Sequence, residues 1–495
     1  MRIRGVVLRK EFVILFYQFS TNKCGSCAHN TQSAKKWARA GEIYFRDLFL
    51  EVGQKEEGGY WFGRMPYHLA QVIFGQTQSH SCVLTGVRFD NVTKTKKDAL
   101  IKETAELYNS RNLNELIVKA HMASQHMEDV GLMERCAALI EKTPGLRNGY
   151  NVRFVVKEPK KVVAGVKMGV TSSGTVDGSL TASKGSLYGR GETADVSYSS
   201  TIKGAHTFSV NYIKPWLGWQ VYKNSGIALR RVLEYLPWNG CNLTENSMVV
   251  QHGQAFMNKK LFNLLKLNFS WRTLLPTDKS AFSIREHAGH TTKISLENVI
   301  QFDNRDRPIL PSTGATVRLM TELASFLGDS SFVRNEVLLQ AATKLPFGTF
   351  LSGTINLQAV QNIGDTTLHV LDRVYLGGPQ DVRGFEINSI GPRSENSVLG
   401  GTAAAAFGAH LFLPLYPKDV FYAHAFTTGG TVASVRSREW ISDMSESMRV
   451  TAGLGVTAVL KNIIRFELSY VVPVAHVGGD RCESGVYFGA GTSFL

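Results

Sequence analysis

Arg465-Phe466-Glu467-Leu468-Ser469-Tyr470-Val471 alternates polar with apolar side chains, and this alternation decides the fold. Successive residues of a strand point to opposite faces, so a period of two produces one apolar and one polar face. Arg449 to Ala458 repeats it, with Val450, Ala452, Leu454, Val456 and Ala458 on one face. Further upstream come Ala194, Val196 and Tyr198; Phe208, Val210 and Tyr212; Leu265, Leu267, Phe269 and Trp271; Val317, Leu319 and Leu323; and Val337, Leu339, Ala341 and Leu345. From about residue 160 onward the chain reads as strands.

The opposite faces carry Asp195, Asn211, Lys266, Arg272, Arg318, Glu322, Gln340 and Lys344, too much charge for a sandwich core. A wetted soluble sheet would need helices over its apolar side, and this region has no long helical period. Lipid covers such a face instead. In hydrocarbon an open sheet edge costs several kcal/mol per unpaired amide, so the sheet must close.

Composition agrees. The 495 residues include 46 Gly and 14 Pro, which implies many turns, and no stretch approaches 18 uninterrupted apolar residues; the best, Phe12 to Phe19, is too short for a spanning helix. Transmembrane strands hide their apolar residues among polar neighbours and leave hydropathy near zero. The net charge of +14 is spread along the chain without an Arg/Lys stripe among aromatics, which disfavours nucleic acid and suits a basic surface beside anionic lipid. Of six cysteines, Cys24 and Cys27 form a lone CxxC with no second pair or histidines to complete a zinc site and no βαβ context for redox work.

A different segment precedes the strands. Cys82 to Val92 alternates, then Leu100, Ile101, Thr104, Leu107 and Tyr108 share a helical face with Thr95 available as N-cap. Leu113, Leu116, Ile117, Ala120 and Met127 mark a second helix, and strands near Arg135 to Lys142 and Tyr150 to Lys157 close a β-α-α-β-β order. Residues 1–80 are left as an unassigned extension: Glu11 interrupts the basic-to-apolar junction of a secretory signal, and Lys35 to Phe49 fits one amphipathic helix.

Catalytic patterns are missing. There is no Walker loop, HExxH or GxSxG. Gly453 to Ala458 has a GxGxxA outline but lies in an alternating strand, where small lumen-facing residues explain it. His121 and His126 fall about 140° apart on a helix and cannot share a metal. The expectation is no enzyme, no metal, no cofactor and no nucleotide.

Leu376 to Pro392, LGGPQDVRGFEINSIGP, places Val382-Arg383-Gly384-Phe385 in a glycine-flanked loop between strands. With the C-terminal GVYFGAGTSFL, this VRGF loop resembles that of the outer-membrane-assembly barrel superfamily, BamA-like proteins that form pores of sixteen strands. Phe302 to Pro308, FDNRDRP, resembles the family's strand-to-turn motif, carried by Asp303, Arg305, Asp306 and Pro308. Phe426, Thr428 and Gly430 match an F-x-D-x-G strand whose acid meets the VRGF arginine. Thr428 replaces the acid, so a hydroxyl or carbonyl partner, not an ion pair, is expected for Arg383 there. Tyr487, Gly489, Thr492 and Phe494 match the C-terminal β-signal. RFELSYVVPV, Asp480-Arg481-Cys482 and a single small domain resemble the mitochondrial branch, the core barrel subunit of the sorting and assembly machinery.

The resemblance implies an all-β transmembrane barrel of about 16 antiparallel strands over 160–495, with the lumen loop at about 376–400, preceded by one small α+β POTRA domain over 81–159. It implies an integral mitochondrial outer-membrane protein with that domain in the intermembrane space. Expected partners are β-barrel precursors, membrane lipid and peripheral helper subunits, and no nucleic acid. Its action would be to insert and fold precursors by parting its first and last strands, with Gly165, Gly169, Gly485 and Gly491 loosening the seam. The alternative is a polypeptide secretion or import pore of the same superfamily.

Overall fold

The computed structural model describes residues 80–491 apart from 160–161, 171–175, 202–203, 258, 326, 365–366, 380, 418–419, 435–439 and 461–463. The expectations for 1–79, and for Thr492 and Phe494, lie outside the described residues. The described chain falls into two compact units. In one, residues 80–82 and 111–118, Ser81 and Asn112 form an isolated antiparallel bridge, and Cys82 donates its N–H to the Arg111 carbonyl. The other, Val83–Ser110 with Lys119 onward, contains the two main sheets.

The smaller sheet consists of β1 (Val83–Asp90), β2 (Arg135–Lys142) and β3 (Gly149–Lys157) in the order β1-β3-β2, with β1 and β3 parallel. Helices α1 (Lys97–Thr104) and α2 (Leu113–Asp129) separate β1 from β2, the crossover a parallel pair needs. Leu107, Ala123, Met127, Val152 and Phe154 are buried, and Phe89 stacks on Phe154 at 5.0 Å. Two expectations are corrected. The N-cap of α1 is Lys96, without a side-chain bond, because the Thr95 hydroxyl is taken up by Glu158 at 2.9 Å. Ile101 and Tyr108 are exposed, since the chain tightens into a 3-10 turn over Ala105–Asn109, which rotates the face.

The larger sheet is a barrel of 16 antiparallel strands in sequence order. Its strands are β4 (Val163–Val170), β5 (Val176–Gly185), β6 (Thr193–Thr201), β7 (His206–Pro215), β8 (Lys223–Leu236), β9 (Cys241–Phe256), β10 (Leu261–Pro276), β11 (Gly289–Asp303), β12 (Gly314–Ala324), β13 (Phe332–Lys344) and β14 (Phe350–Asn362). After a long loop, in which β15 (Arg393–Ser394) and β16 (Ser397–Val398) form a two-stranded ribbon, come β17 (Ala403–Pro414), β18 (Phe421–Ala433), β19 (Arg449–Leu460), β20 (Ile464–Ala475) and β21 (Gly485–Gly491). Period two holds throughout: Leu319 and Leu323 face outward and exposed, while Glu322 between them is buried, paired with Lys293 at 3.0 Å. On β20 Leu468 and Tyr470 are exposed, and Glu467 and Ser469 are buried in the lumen. Among the described residues no helix is long and apolar enough to cross a membrane.

Alternation of direction fixes the two mouths. The smaller sheet feeds β4 at what we call the near mouth, so β14, eleventh in the barrel, ends at the far mouth and the loop 363–402 enters from there. At the near mouth the β7–β8 turn docks on the helices: Gly218 N–H donates to Glu103 at 2.9 Å, and His126, bonded to Glu103 at 2.5 Å, contacts the Val221 carbonyl at 3.1 Å. Glu103 and His126 are fully buried, so each satisfies the other where water is excluded.

Candidate functional site

The loop between β14 and β17 is held at several places, two of them through buried arginines. Near its start a 3-10 turn, Val370–Asp372, aims Asp372 at the wall, where Arg272 of β10 grips it through two bonds of 2.6 and 2.9 Å, and Ser330 adds a third at 2.9 Å. Arg334 of β13 donates to the Asp372 carbonyl at 2.7 Å. A bidentate pair of this kind fixes orientation as well as distance.

The second place is the VRGF segment. Val382 and Phe385 are buried in a cluster with Phe332, Val374, Leu376 and Ile390. Gly384 has φ +83°, and a Cβ there would sit 3.1 Å from Val471, so any other residue would be strained in its backbone and crowd that side chain. Arg383 is 3 % exposed; it donates to Glu467 of β20 at 2.9 Å, lies 3.2 Å from His410 of β17, and stacks over Phe426 at 4.6 Å. The expectation of a hydroxyl partner at Thr428 is thus corrected: Arg383 makes an ion pair, and the carboxylate comes from β20. Thr428 is fully buried with its hydroxyl 2.9 Å from that of Thr451.

Thr428 and Gly430 share the inner face of β18 with Phe426, and each shapes the loop's seat. At Gly430 a Cβ would collide with Leu376 and come within 3.1 Å of Val382, so this glycine admits the loop. On β19, Gly453 and Gly455 do the same for aromatic rings: added Cβ atoms would lie 2.5 Å from Phe426 and 2.9 Å from His424. The rings of His410 and His424 flank Phe426 at 5.4 and 5.3 Å. Glu467 also pairs with Arg465, whose guanidinium lies 5.1 Å from the Phe412 ring. Two arginines thus share one carboxylate in a lumen that withholds water.

Backbone bonds then tie the loop to the end of the chain. Phe385 bridges Cys482, Glu386 N–H donates to the Arg481 carbonyl at 3.0 Å, and Glu483 N–H donates to the Gly384 carbonyl at 3.1 Å. Residues 481–483 lead directly into β21. Sequence reasoning missed Asp372, Arg272, Glu467, His410 and this strip. Glu467 was readable as an acid on the polar face of RFELSYV, whereas its partner lies 84 residues away and no local signal names it.

The strands β4 and β21 are the two ends of the 16-stranded order and run beside each other with Cα atoms within 8 Å. Among the described residues no hydrogen-bonded register joins them. Gly165 of β4 pairs with Thr181 and Gly169 with Asp177; a Cβ at Gly165 would meet nothing within 4 Å. On β21, Gly485, Gly489 and Gly491 pair with Val471, Glu467 and Arg465 of β20. The Tyr487 hydroxyl donates to the Glu483 carbonyl at 2.8 Å. The Gly489 position therefore faces the strand residue that holds Arg383.

The turn from β11 to β12 folds in at the near mouth. Arg305 is bonded to Asp303 at 2.7 Å, to Gln340 at 2.6 Å and to the Pro308 carbonyl at 3.3 Å; Asp306 accepts the Ser312 and Thr313 N–H groups at 2.9 and 3.0 Å. Leu310 is thereby tucked among Phe350, Phe412, Tyr422 and Val459. Through Phe412, whose ring faces Arg465 and stacks on His410 at 5.6 Å, this turn packs beneath the Arg383 seat.

Comparison with known proteins fits this geometry. Residues 186–494 match the Omp85 superfamily domain. The chain is 32 % identical over 436 residues to the sorting and assembly machinery component 50 homologs of Xenopus tropicalis and Homo sapiens, covering 84 % of this chain and 92 % of each relative. In fold it is similar to BamA from Haemophilus ducreyi lacking POTRA domains 1-3, with a TM-score of 0.69 at 13 % identity over 99 % of both chains. With its matched barrel and near full-length relatives, the chain belongs to the Omp85 superfamily, in the branch of the sorting and assembly machinery component 50 homologs.

Proposed function

We propose that this chain inserts and folds β-barrel precursors into the mitochondrial outer membrane by parting β4 from β21 and pairing the freed edges with a client strand. The observation that carries the reading is the double attachment of the VRGF segment, by side chain to Glu467 on β20 and by backbone to residues 481–483 ahead of β21. The loop braces the wall on one side of the seam, so the edge can open without the rest of the barrel loosening. Membership among component 50 homologs of a sorting and assembly machinery supports the same role.

The driving force is backbone pairing. A client strand exchanges unpaired amides in an interfacial setting for a full ladder in lipid, each pair saving several kcal/mol, and no nucleotide or cofactor enters. Gly165, Gly169, Gly485 and Gly491 reduce packing along the seam, and Tyr487 and Gly489 with Thr492 and Phe494 act as the strand signal. The small sheet with its two helices acts as a single POTRA domain facing the intermembrane space and receiving precursors. Peripheral helper subunits bind at the far mouth.

The test is depletion in cells. Assembled levels of outer-membrane barrels such as porin should fall first, with matrix import intact. Loss of matrix import ahead of porin assembly would instead support a pore that passes polypeptide through its lumen.

A further inference from the structure

Three consecutive turns of the near mouth reach the small domain, each through different chemistry. The β5–β6 turn meets the start of α1: Lys96 N–H donates to the Gly189 carbonyl at 2.9 Å, and Arg190 pairs with Asp98 at 3.0 Å. Gly189 has φ +80°, and a Cβ there would collide with the Lys94 carbonyl, so the two backbones touch directly. The β7–β8 turn covers the buried Glu103 and His126, and its Gln220 side chain donates to the Met122 carbonyl of α2 at 2.9 Å. In the β9–β10 turn Lys259 pairs with Asp129, the last residue of α2, and lies 4.8 Å from the Tyr222 ring.

The link between domain and barrel is tied as well. Glu158, just ahead of β4, accepts the N–H groups of residues 93–95, and a Cβ on Gly185 at the end of β5 would lie 3.3 Å from Pro159. A domain swinging about this link would have to break the bonds of Glu158, lay Glu103 and His126 open and part three turns at once. The exposed pairs contribute little to resisting that. The buried couple, closed by the Gly218 N–H and the Val221 carbonyl, and the backbone contact at Gly189 carry the attachment.

We propose that the small domain is clamped in one pose on the wall from β5 to β10 and is a fixed platform beside the first strand, not a gate that swings across the near mouth. When the seam parts, the platform rides with the β4 side. That last consequence rests on the proposed function; the single pose does not.

The test is a distance measurement on the full chain in lipid vesicles. Nitroxide labels are carried on p-acetylphenylalanine replacing Tyr108, exposed on the domain, and Phe347, exposed in the β13–β14 turn, and pulsed electron paramagnetic resonance reads the separation. One narrow distance, unchanged while added porin precursor assembles into the same vesicles, supports the clamp. A broad or two-peaked distribution in the chain without further substitution, or a second distance that arises during assembly, overturns it. Glu103→Ala should broaden the distribution, and so should Gly189→Ala, which pushes its turn off Lys94 and leaves the core of the domain untouched should Glu103→Ala fail to fold. A distribution as narrow in these variants as in their parent overturns the assignment of the clamp to these contacts. Porin that fails to assemble counts against the proposed function, and the distances still decide the clamp.

Discussion

The middle of the barrel and its two ends are built from the same alternation but hold very differently. Strands β9 and β10 are 16 residues each and pair along their whole length, and no hydrogen-bonded register joins β4 to β21 among the described residues. Inward glycines also differ: Gly453 and Gly430 in the wall are crowded by rings or by the loop, and Gly165 at the edge borders open space. Wall glycines exist to admit something. The edge glycine leaves a strand with little to lose on parting. A sheet can therefore be rigid where it seats its loop and weak where its ends meet, with no change in fold.

The sharpest way to break this comparison is to remove the ion pair that seats the loop. Arg383→Ala removes a charge-assisted bond to Glu467, a loss of about 1.5–3 kcal/mol, together with the stacking on Phe426, while Glu467 keeps Arg465 as its partner. Thermal melting in one detergent should show a clear drop, with Arg383→Lys recovering part of it because an ammonium cannot copy the planar fork. Melting unchanged from wild type would reduce the VRGF segment to an ordinary connection.

Next in size is the glycine contrast. Gly453→Ala drives a Cβ to 2.5 Å from Phe426 and should destabilise by about 1–3 kcal/mol, as overpacking does. Gly165→Ala meets no atom and should stay within about 0.5 kcal/mol in the same melting assay. Equal losses at the two positions would mean that the edge is packed like the wall.

The smallest expected effect lies outside the membrane, where Glu158 ties the start of the barrel to the smaller sheet. Partial burial raises its pKa, but the hydroxyls of Thr93 and Thr95 and the N–H groups of residues 93–95 outweigh that and hold it down to about 2, against an ordinary 4.5. A depressed carboxylate adds stability that is present above pH 4.5 and is lost as pH falls through its folded value near 2. The melting difference between wild type and Glu158→Gln should therefore shrink across that window. A gap independent of pH would assign the linkage to shape and not to charge.

The alternation in RFELSYV and its neighbours, together with charged second faces, was enough to read a closed transmembrane sheet, because period two is local and lipid leaves few ways to satisfy a backbone. The VRGF segment was legible as a special loop for the same reason: Gly384 needs φ +83° whatever surrounds it. Helix faces over 97–109 were less legible, since a 3-10 turn shifts the period from 3.6 to about 3 and moves Ile101 and Tyr108 into solvent. Partnership was not legible at all. That Arg383 meets Glu467, that Asp372 meets Arg272, and that residues 384–386 zip onto 481–483 are decided only when sixteen strands close and bring opposite walls to face one lumen. Alternation tells which face a side chain takes, and closure alone tells what stands across from it.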